Sequence, residues 1–250
     1  MNRFDLTGKT ALVTGAAGGL GQGIAVGFAE AGANVVCASL SRSAETVSMI
    51  TALGRKASEI VVDLSDHNKL QETFDEALKL TGAIDILVNN AGIIRRTPAK
   101  DHSEKDWLDV ININLNTVFL LSQIAGRHMI ERGSGKMINI CSMLSYQGGI
   151  NVPGYTASKH GVAGLTKAFA NEWASYGLQV NGIAPGYMAT DNTAPIRADE
   201  NRKASITDRI PAGRWGTPED VKGPAVFLAS AASDYLNGHI LCVDGGWMAR

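Results

Sequence analysis

The chain has 250 residues, 45% of them hydrophobic and 19% charged, with a formal net charge of −1. That length buries a full core as one domain spanning residues 1–250, and the composition is that of an ordinary globular protein. With charges balanced there is no basic footprint, so neither nucleic acid nor an anionic membrane surface is an expected partner and a small molecule is.

In chain order, Thr10 to Thr14 is a short apolar strand, followed by Gly15-Ala-Ala-Gly-Gly-Leu-Gly21 and the helical pattern Ile24, Phe28, Ala29. Glycines at 15, 19 and 21 let the backbone turn tightly and approach a pyrophosphate, whose charge rests on the amide-rich end of the helix. Strand before and amphipathic helix after make this string a dinucleotide cradle rather than a flexible loop. Asn34 to Leu40 is a second strand, and a ribose-reading residue belongs at its end. An acidic side chain there would bind a 2′-hydroxyl and repel a 2′-phosphate. The chain offers Ser39, Leu40, Ser41 and Arg42 instead, which leaves NAD and NADP both open and Arg42 either a surface residue or a phosphate ligand.

Ser58 to Val62 is a third strand ending at Asp63-Leu64, and Leu70 to Leu80 an amphipathic helix. Ile84 to Val88 is a fourth strand, ending Asn89-Asn90-Ala91-Gly92. Strands and helices alternate with short connections, which predicts an α/β fold with a parallel doubly wound sheet. Arg95 and Arg96 follow at the carboxyl edge of the sheet, where a guanidinium can fork onto a substrate carboxylate. One long helical period covers Trp107 to Ile130, with Asn114 inside it; a buried asparagine there must find partners. These are a neighbouring helix, or a water or the Lys159 backbone in a proton path.

The apolar run Met137 to Cys141 is a buried strand with Ser142 at its carboxyl end, where open α/β sheets bind ligands. Tyr155 and Lys159 stand four apart on a helix from Tyr155 to Trp173, so their side chains share one face. A free tyrosine titrates near pH ~10 and is a poor acid or base at neutrality. One unit charge ~4 Å away at an effective dielectric of ~20 supplies about 4 kcal/mol, so Lys159 is expected to activate Tyr155. Such a pair also stands on many helices as a plain solvated contact, and it is the surrounding motifs that make it chemical. Leu178 to Ile183 is the sixth strand, ending Ala184-Pro185-Gly186-Tyr187-Met188-Ala189-Thr190. Residues 191–215 break the alternation, are polar, and form a candidate substrate lid. A helix over Pro218 to Ala229 and a last strand from His239 to Val243 complete the chain.

Cys37, Cys141 and Cys242 lie in strand-like runs without histidines at ligand spacing, so they are expected to be reduced core residues and no metal is expected. No apolar signal core opens the chain, and no stretch reaches the ~20 uninterrupted apolar residues of a membrane span. A cytoplasmic location is expected.

Thr14-Gly15-x-x-x-Gly19-x-Gly21, Asn89-Asn90-Ala91-Gly92, Asn114, Ser142, Tyr155-x-x-x-Lys159 and Pro185-Gly186-x-x-x-Thr190 together resemble, in order and spacing, the short-chain dehydrogenase/reductase family. The resemblance covers the whole chain. It implies a single Rossmann-like domain with a seven-stranded parallel sheet, a nicotinamide cofactor, commonly NAD, and a homotetramer. It implies that Tyr155 is the general acid/base, that Lys159 activates it and holds the nicotinamide ribose, that Ser142 bonds the reacting oxygen, and that Asn114 completes a proton relay. The positions implied to contact the cofactor are Gly15, Gly19, Leu20 and Gly21; Ser39 and Arg42; Asp63 and Leu64; Asn90, Ala91 and Gly92; and Pro185, Gly186, Met188 and Thr190, with Tyr155 and Lys159. Further segments, among them Ile94-Arg95-Arg96, Gln147-Gly148-Gly149 and Asp208-Arg209-Ile210-Pro211, resemble the branch acting on sugar acids in uronate breakdown. That implies hydride exchange with a secondary alcohol or ketone of an anionic sugar acid, with Arg95, Arg96, Ser142, Gln147, Tyr155 and Tyr187 around the substrate. The anion needs a cation, which Arg95, Arg96 or a lid arginine supplies. A non-catalytic cofactor sensor on the same fold would have no use for Ser142, Asn114, Tyr155 and Lys159 together.

Overall fold

The structure, a computed structural model, describes residues 2–250. Its parallel strands are β1 (Thr10–Thr14), β2 (Asn34–Ser39), β3 (Ala57–Val61), β4 (Ile86–Asn89), β5 (Gly135–Ile140), β6 (Leu178–Pro185) and β7 (Ile240–Val243). They form one seven-stranded sheet in the order β3-β2-β1-β4-β5-β6-β7. Every residue of β1 is buried, as a strand covered on both faces requires. Its register sets Leu12 between Val36 of β2 and Leu87 of β4. The chain starts at β1, winds out to β3 and returns to β4 on the other side, so the direction of winding reverses between β1 and β4. In such sheets the crevice at that reversal takes the ligand.

Helices α1 (Gly19–Glu30) and α2 (Ala44–Ala52) lie with α9 (Pro218–Ala229) on one face, where Phe28, Ile50, Val221 and Leu228 share a core with the sheet. Helices α3 (Leu70–Thr81), α5 (Thr117–Arg132) and α6 (Pro153–Trp173) cover the other through Phe74, Leu121, Met129 and Phe169. Helix α4 (Glu104–Ile111) leads into α5, and the short α7 (Ala194–Arg197) and α8 (Glu200–Arg209) follow β6.

Four departures from the sequence reading have physical causes. The period expected as one helix from Trp107 to Ile130 is interrupted by a π-helical turn, Asn112–Asn116. Its wide ring places an extra residue in the helix, and Asn114, inside that turn, is buried. By length and average hydropathy the run 104–132 could cross a membrane, but Leu121, Ala125 and Met129 pack it into the core. Residues 191–215 are not irregular throughout: Asp199 accepts a bond from the Arg202 amide and so caps α8. Helix α2, unassigned in the sequence reading, turns only Thr46 and Ile50 inward, too narrow a stripe to stand out. The expected burial of the cysteines holds for Cys37 and Cys141, whose thiols burial pushes up to about 12 and about 11. It fails for Cys242, which is exposed because β7 is an edge strand.

The start of α9 concentrates polar bonds on one carboxylate. Asp220 takes a guanidinium fork from Arg214 at 2.8 and 2.7 Å and the Thr217 amide at 2.8 Å. The Arg214 bond, then the Thr217 amide, hold its carboxyl far below the usual carboxylate range. Replacing Asp220 by Asn is expected to lower stability by about 1 kcal/mol at neutral pH, read as a lower thermal midpoint. Because the folded carboxyl titrates below the unfolded one, the contribution is complete above the unfolded value near pH ~4 and fades as the pH falls further. The gap between the two proteins should therefore hold from pH 7 to about 5 and close in stronger acid.

Candidate active site

The reversal point is stitched by Thr14. Its hydroxyl donates to the Val88 carbonyl at 3.0 Å and accepts the amides of Asn90 and Ala91 at 2.9 and 3.0 Å. The Asn90 side-chain amide in turn donates to the carbonyls of Thr14 and Gly15. Gly15 adopts φ +67, and a Cβ there would lie 2.9 Å from that amide and 3.0 Å from the Ala91 Cα. Gly21 lies under the loop, where any side chain would strike the Gly15 carbonyl and the Asn90 amide. Helix α1 starts from Gly18 with no side-chain cap and no acidic residue in its first turn. Its free amides are therefore left to an anion, and the loop above them is bare backbone. The residues present fit the pyrophosphate of a dinucleotide.

Two cavities, of about 510 and 270 Å³, share Gly15, Ala91 and Gly92 and form one cleft over this cradle. Its outer part is lined by Ser39, Asp63, Leu64 and Arg95, and its inner part by Gly19, Leu20, Asn90, Tyr155, Lys159 and Thr190. Hydrogen bonds from the Ser65 hydroxyl and amide hold the Asp63 carboxyl below its ordinary range, so it is charged. Arg42 gives Nε and Nη2 to Glu59 Oε1 at 2.9 and 2.7 Å. Pro185 is buried and Met188 is 5% exposed, so both shape the turn after β6. Gly186 lies against Asp244.

A third cavity of about 370 Å³ meets the cleft at Tyr155 and Asn192, which line both. Ser142, Gln147, Tyr187, Gly186 and Arg96 are on its wall. Ser142 Oγ accepts the Leu144 amide at 3.1 Å, which leaves its proton for a ligand oxygen. Lys159 is 5% exposed. Its Nζ donates to the Ile140 carbonyl at 2.6 Å and lies 5.5 Å from the Tyr155 ring centroid. The buried ammonium is thus aimed by the end of β5, with two N–H groups to spare. Ser145, given no role in the sequence reading, accepts the Ser142 amide and donates to the Lys159 carbonyl at 2.8 Å, tying the serine turn to α6.

The Asn114 side chain bonds both backbone groups of Ile93 at 2.8 and 2.9 Å and Ser158 Oγ at 3.3 Å, rather than the Lys159 backbone. Ser158 continues to the Tyr155 carbonyl. The two adjacent arginines part company. Arg95 lies near Asp106 and Asp109 in the outer cleft, while Arg96 gives Nη2 to the Asn192 carbonyl on the third cavity. Asn192, Arg202, Arg209 and Trp247 also line that cavity. The sequence reading marks the arginines only as lid arginines and gives Asn192 and Trp247 no role in a site. Among the described residues no three His, Cys, Asp or Glu side chains gather as a metal site would require.

A family model described as enoyl-(acyl carrier protein) reductase matches residues 15–248. The chain is 56% identical, over 100% of its length and 99% of the relative, to 2-dehydro-3-deoxy-D-gluconate 5-dehydrogenase of Escherichia coli (strain K12). It is 46% identical to gluconate 5-dehydrogenase of Gluconobacter oxydans (strain 621H), over 97% of its length and 96% of the relative. A crystal structure from Agrobacterium tumefaciens with bound NADP superimposes with a TM-score of 0.95 at 53% identity, covering 100% of both chains. With a cradle at the sheet's reversal point and a serine, tyrosine and lysine where it opens, the family model over residues 15–248 and the relatives matched end to end place the chain in the short-chain dehydrogenase/reductase family.

Proposed function

We propose that the protein moves hydride between a nicotinamide cofactor and a sugar acid, with 2-dehydro-3-deoxy-D-gluconate as the alcohol and 3-deoxy-2,5-hexodiulosonate as the ketone. The observation that carries this reading is the position of Tyr155 on the wall shared by the dinucleotide cleft and the third cavity. The nicotinamide, when bound, supplies the hydride acceptor or donor. Tyr155 takes the proton of the carbinol oxygen as the alcohol becomes a ketone and returns it in reverse. Ser142 donates a hydrogen bond to that same oxygen and so orients it. Lys159, aimed by the Ile140 carbonyl, sets a positive charge 5.5 Å from the phenol ring, next to the place where the proton is exchanged. Asn114 and Ser158 hold the loop at Ile93 and the first turn of α6, so that the substrate and cofactor walls keep their spacing. The segment 191–215 is the lid over the acid, and Arg96 holds it through Asn192.

Initial rates on 2-dehydro-3-deoxy-D-gluconate, followed at the absorbance of the reduced nicotinamide, test the reading. Turnover well above that with gluconate is expected. The similarity to the gluconate enzyme and the presence of arginines that suit any six-carbon acid support gluconate as the second reading, and the reverse order of rates would establish it.

NAD is the expected cofactor, with NADP admissible because the chain after β2 offers Leu40, Ser41 and Arg42 rather than an acidic residue of its own. Glu59 competes with such a phosphate for Arg42. Glu59→Gln is accordingly expected to raise kcat/KM with NADP relative to NAD by about tenfold; an unchanged ratio would make Arg42 a bystander. We propose further that the protein works as a cytoplasmic homotetramer in uronate breakdown. Its exposed Trp107, Leu108 and Phe119 on α4 and α5 offer an apolar contact surface, and light scattering at the mass of a single chain would rule the tetramer out.

A further inference from the structure

Arg209, the last residue of α8, lies with its guanidinium carbon 4.0 Å from the ring centroid of Trp247. Both line the third cavity beside Tyr155. Trp247 is only 5% exposed, and Tyr187 meets it edge-on at 4.9 Å, so the indole is a fixed platform. The helix that presents Arg209 is fixed too. Ile206 and Ile210 are buried with Met143 and Trp247 in one cluster, which anchors α8 to the turn that carries Ser142. The guanidinium therefore has a defined place although its tip is open to water.

What distinguishes Arg209 from its neighbours is that its guanidinium is held by an aromatic ring alone and by no carboxylate or carbonyl. Arg214 forks onto Asp220, Arg95 lies near Asp106 and Asp109, and Arg96 and Arg197 donate to the carbonyls of Asn192 and Thr190. Among the described residues the Arg209 side chain makes no hydrogen bond and has no carboxylate in ion-pair range. Arg202 sits two turns earlier on the same face of α8 but rests on no aromatic ring. A guanidinium stacked on an indole loses less side-chain freedom when it grips an anion than a free one does, and it keeps its planar fork of donors for a carboxylate. The indole N–H of Trp247 is also buried without a protein partner, a cost that an oxygen of a bound acid would offset.

Building on the function proposed above, we infer that Arg209, held flat on Trp247, is the residue that reads the carboxylate of the substrate and so sets a preference for acids over neutral polyols. The reacting carbon and the carboxylate are at opposite ends of an extended six-carbon acid. A charge reader on α8, separate from the proton-handling Tyr155 and Ser142, suits that geometry. Arg96 then serves mainly to hold the lid.

The test compares wild type, Arg209→Leu, Arg209→Lys and Arg202→Leu on gluconate or 2-dehydro-3-deoxy-D-gluconate and on the neutral amide of the same acid. Arg209→Leu is expected to raise KM for the acid about 30-fold or more with kcat nearly kept, to change KM for the amide less than about twofold, and to be partly rescued in Arg209→Lys. Equal losses on acid and amide, or a charge-selective loss in Arg202→Leu instead, would overturn the inference. Calorimetric titration of gluconate into wild type and Arg209→Leu, each with the reduced cofactor, separates the two proposals. Wild type that turns over no sugar acid sinks the functional reading, whereas equal gluconate affinity of the two proteins sinks the role of Arg209 alone.

Discussion

Replacing Tyr155 by Phe is expected to lower kcat by about 10³-fold or more while the reduced cofactor still binds with near wild-type affinity. The substitution removes one oxygen and keeps the ring that forms the wall between cleft and cavity. Loss of a positioned acid or base typically costs 10² to 10⁴ in rate. The upper part of that range is expected here because no other titratable side chain lines both cavities: the one further residue they share is Asn192. Cofactor titration by fluorescence beside steady-state rates checks both halves of the statement. Retained turnover would rule out Tyr155 as the proton carrier, and lost cofactor affinity would show that the ring had moved.

The second large effect is expected from Gly21→Ala. The added methyl group would strike the Gly15 carbonyl and the Asn90 side-chain amide. Both belong to the stitching between β1 and β4, and backbone on one side cannot step aside as a flexible side chain could. The loop must lift, and the amides at the start of α1 then no longer converge on a pyrophosphate. An increase in cofactor Kd of about 100-fold or more is expected, with the thermal midpoint falling less than a core truncation would cause, since the methyl group meets the cradle and not the apolar core. Wild-type cofactor affinity in this variant would mean that the cradle is looser than its contacts imply.

The features legible in the sequence were those set by local spacing. Tyr155 and Lys159 share a helix face because four residues make about one turn, and the glycine string declares itself between a strand and a helix. The sheet could be read because buried parallel strands are apolar throughout, as Leu12, Val36 and Leu87 are. What escaped was set by meetings across the fold. Arg95 and Arg96 are neighbours in sequence, yet one lies near Asp106 and Asp109 and the other is tied to Asn192. Arg209 and Trp247 gain meaning only from each other, and Ser145 only from the Lys159 carbonyl. The π-helical turn at Asn112–Asn116 leaves the apolar period nearly intact on both sides, so the sequence shows a continuous helix where the backbone widens. Cys242 has a strand's pattern but an edge strand's surroundings.

The Thr14 stitch also ties the crevice to a long loop of chain. Its partners Asn90 and Ala91 are 76 and 77 residues away along the chain, so a chain that has formed only β1, β2 and the glycine loop holds half a crevice. The complete crevice exists only once the loop over that distance is closed, at an entropic cost. A dinucleotide can therefore grip only a chain in which β4 has already docked beside β1, and through that preference it acts as a thermodynamic clamp: its presence shifts the balance toward the completed fold by mass action. Starving a cell of the nucleotide would then shorten the protein's life as well as idle its chemistry.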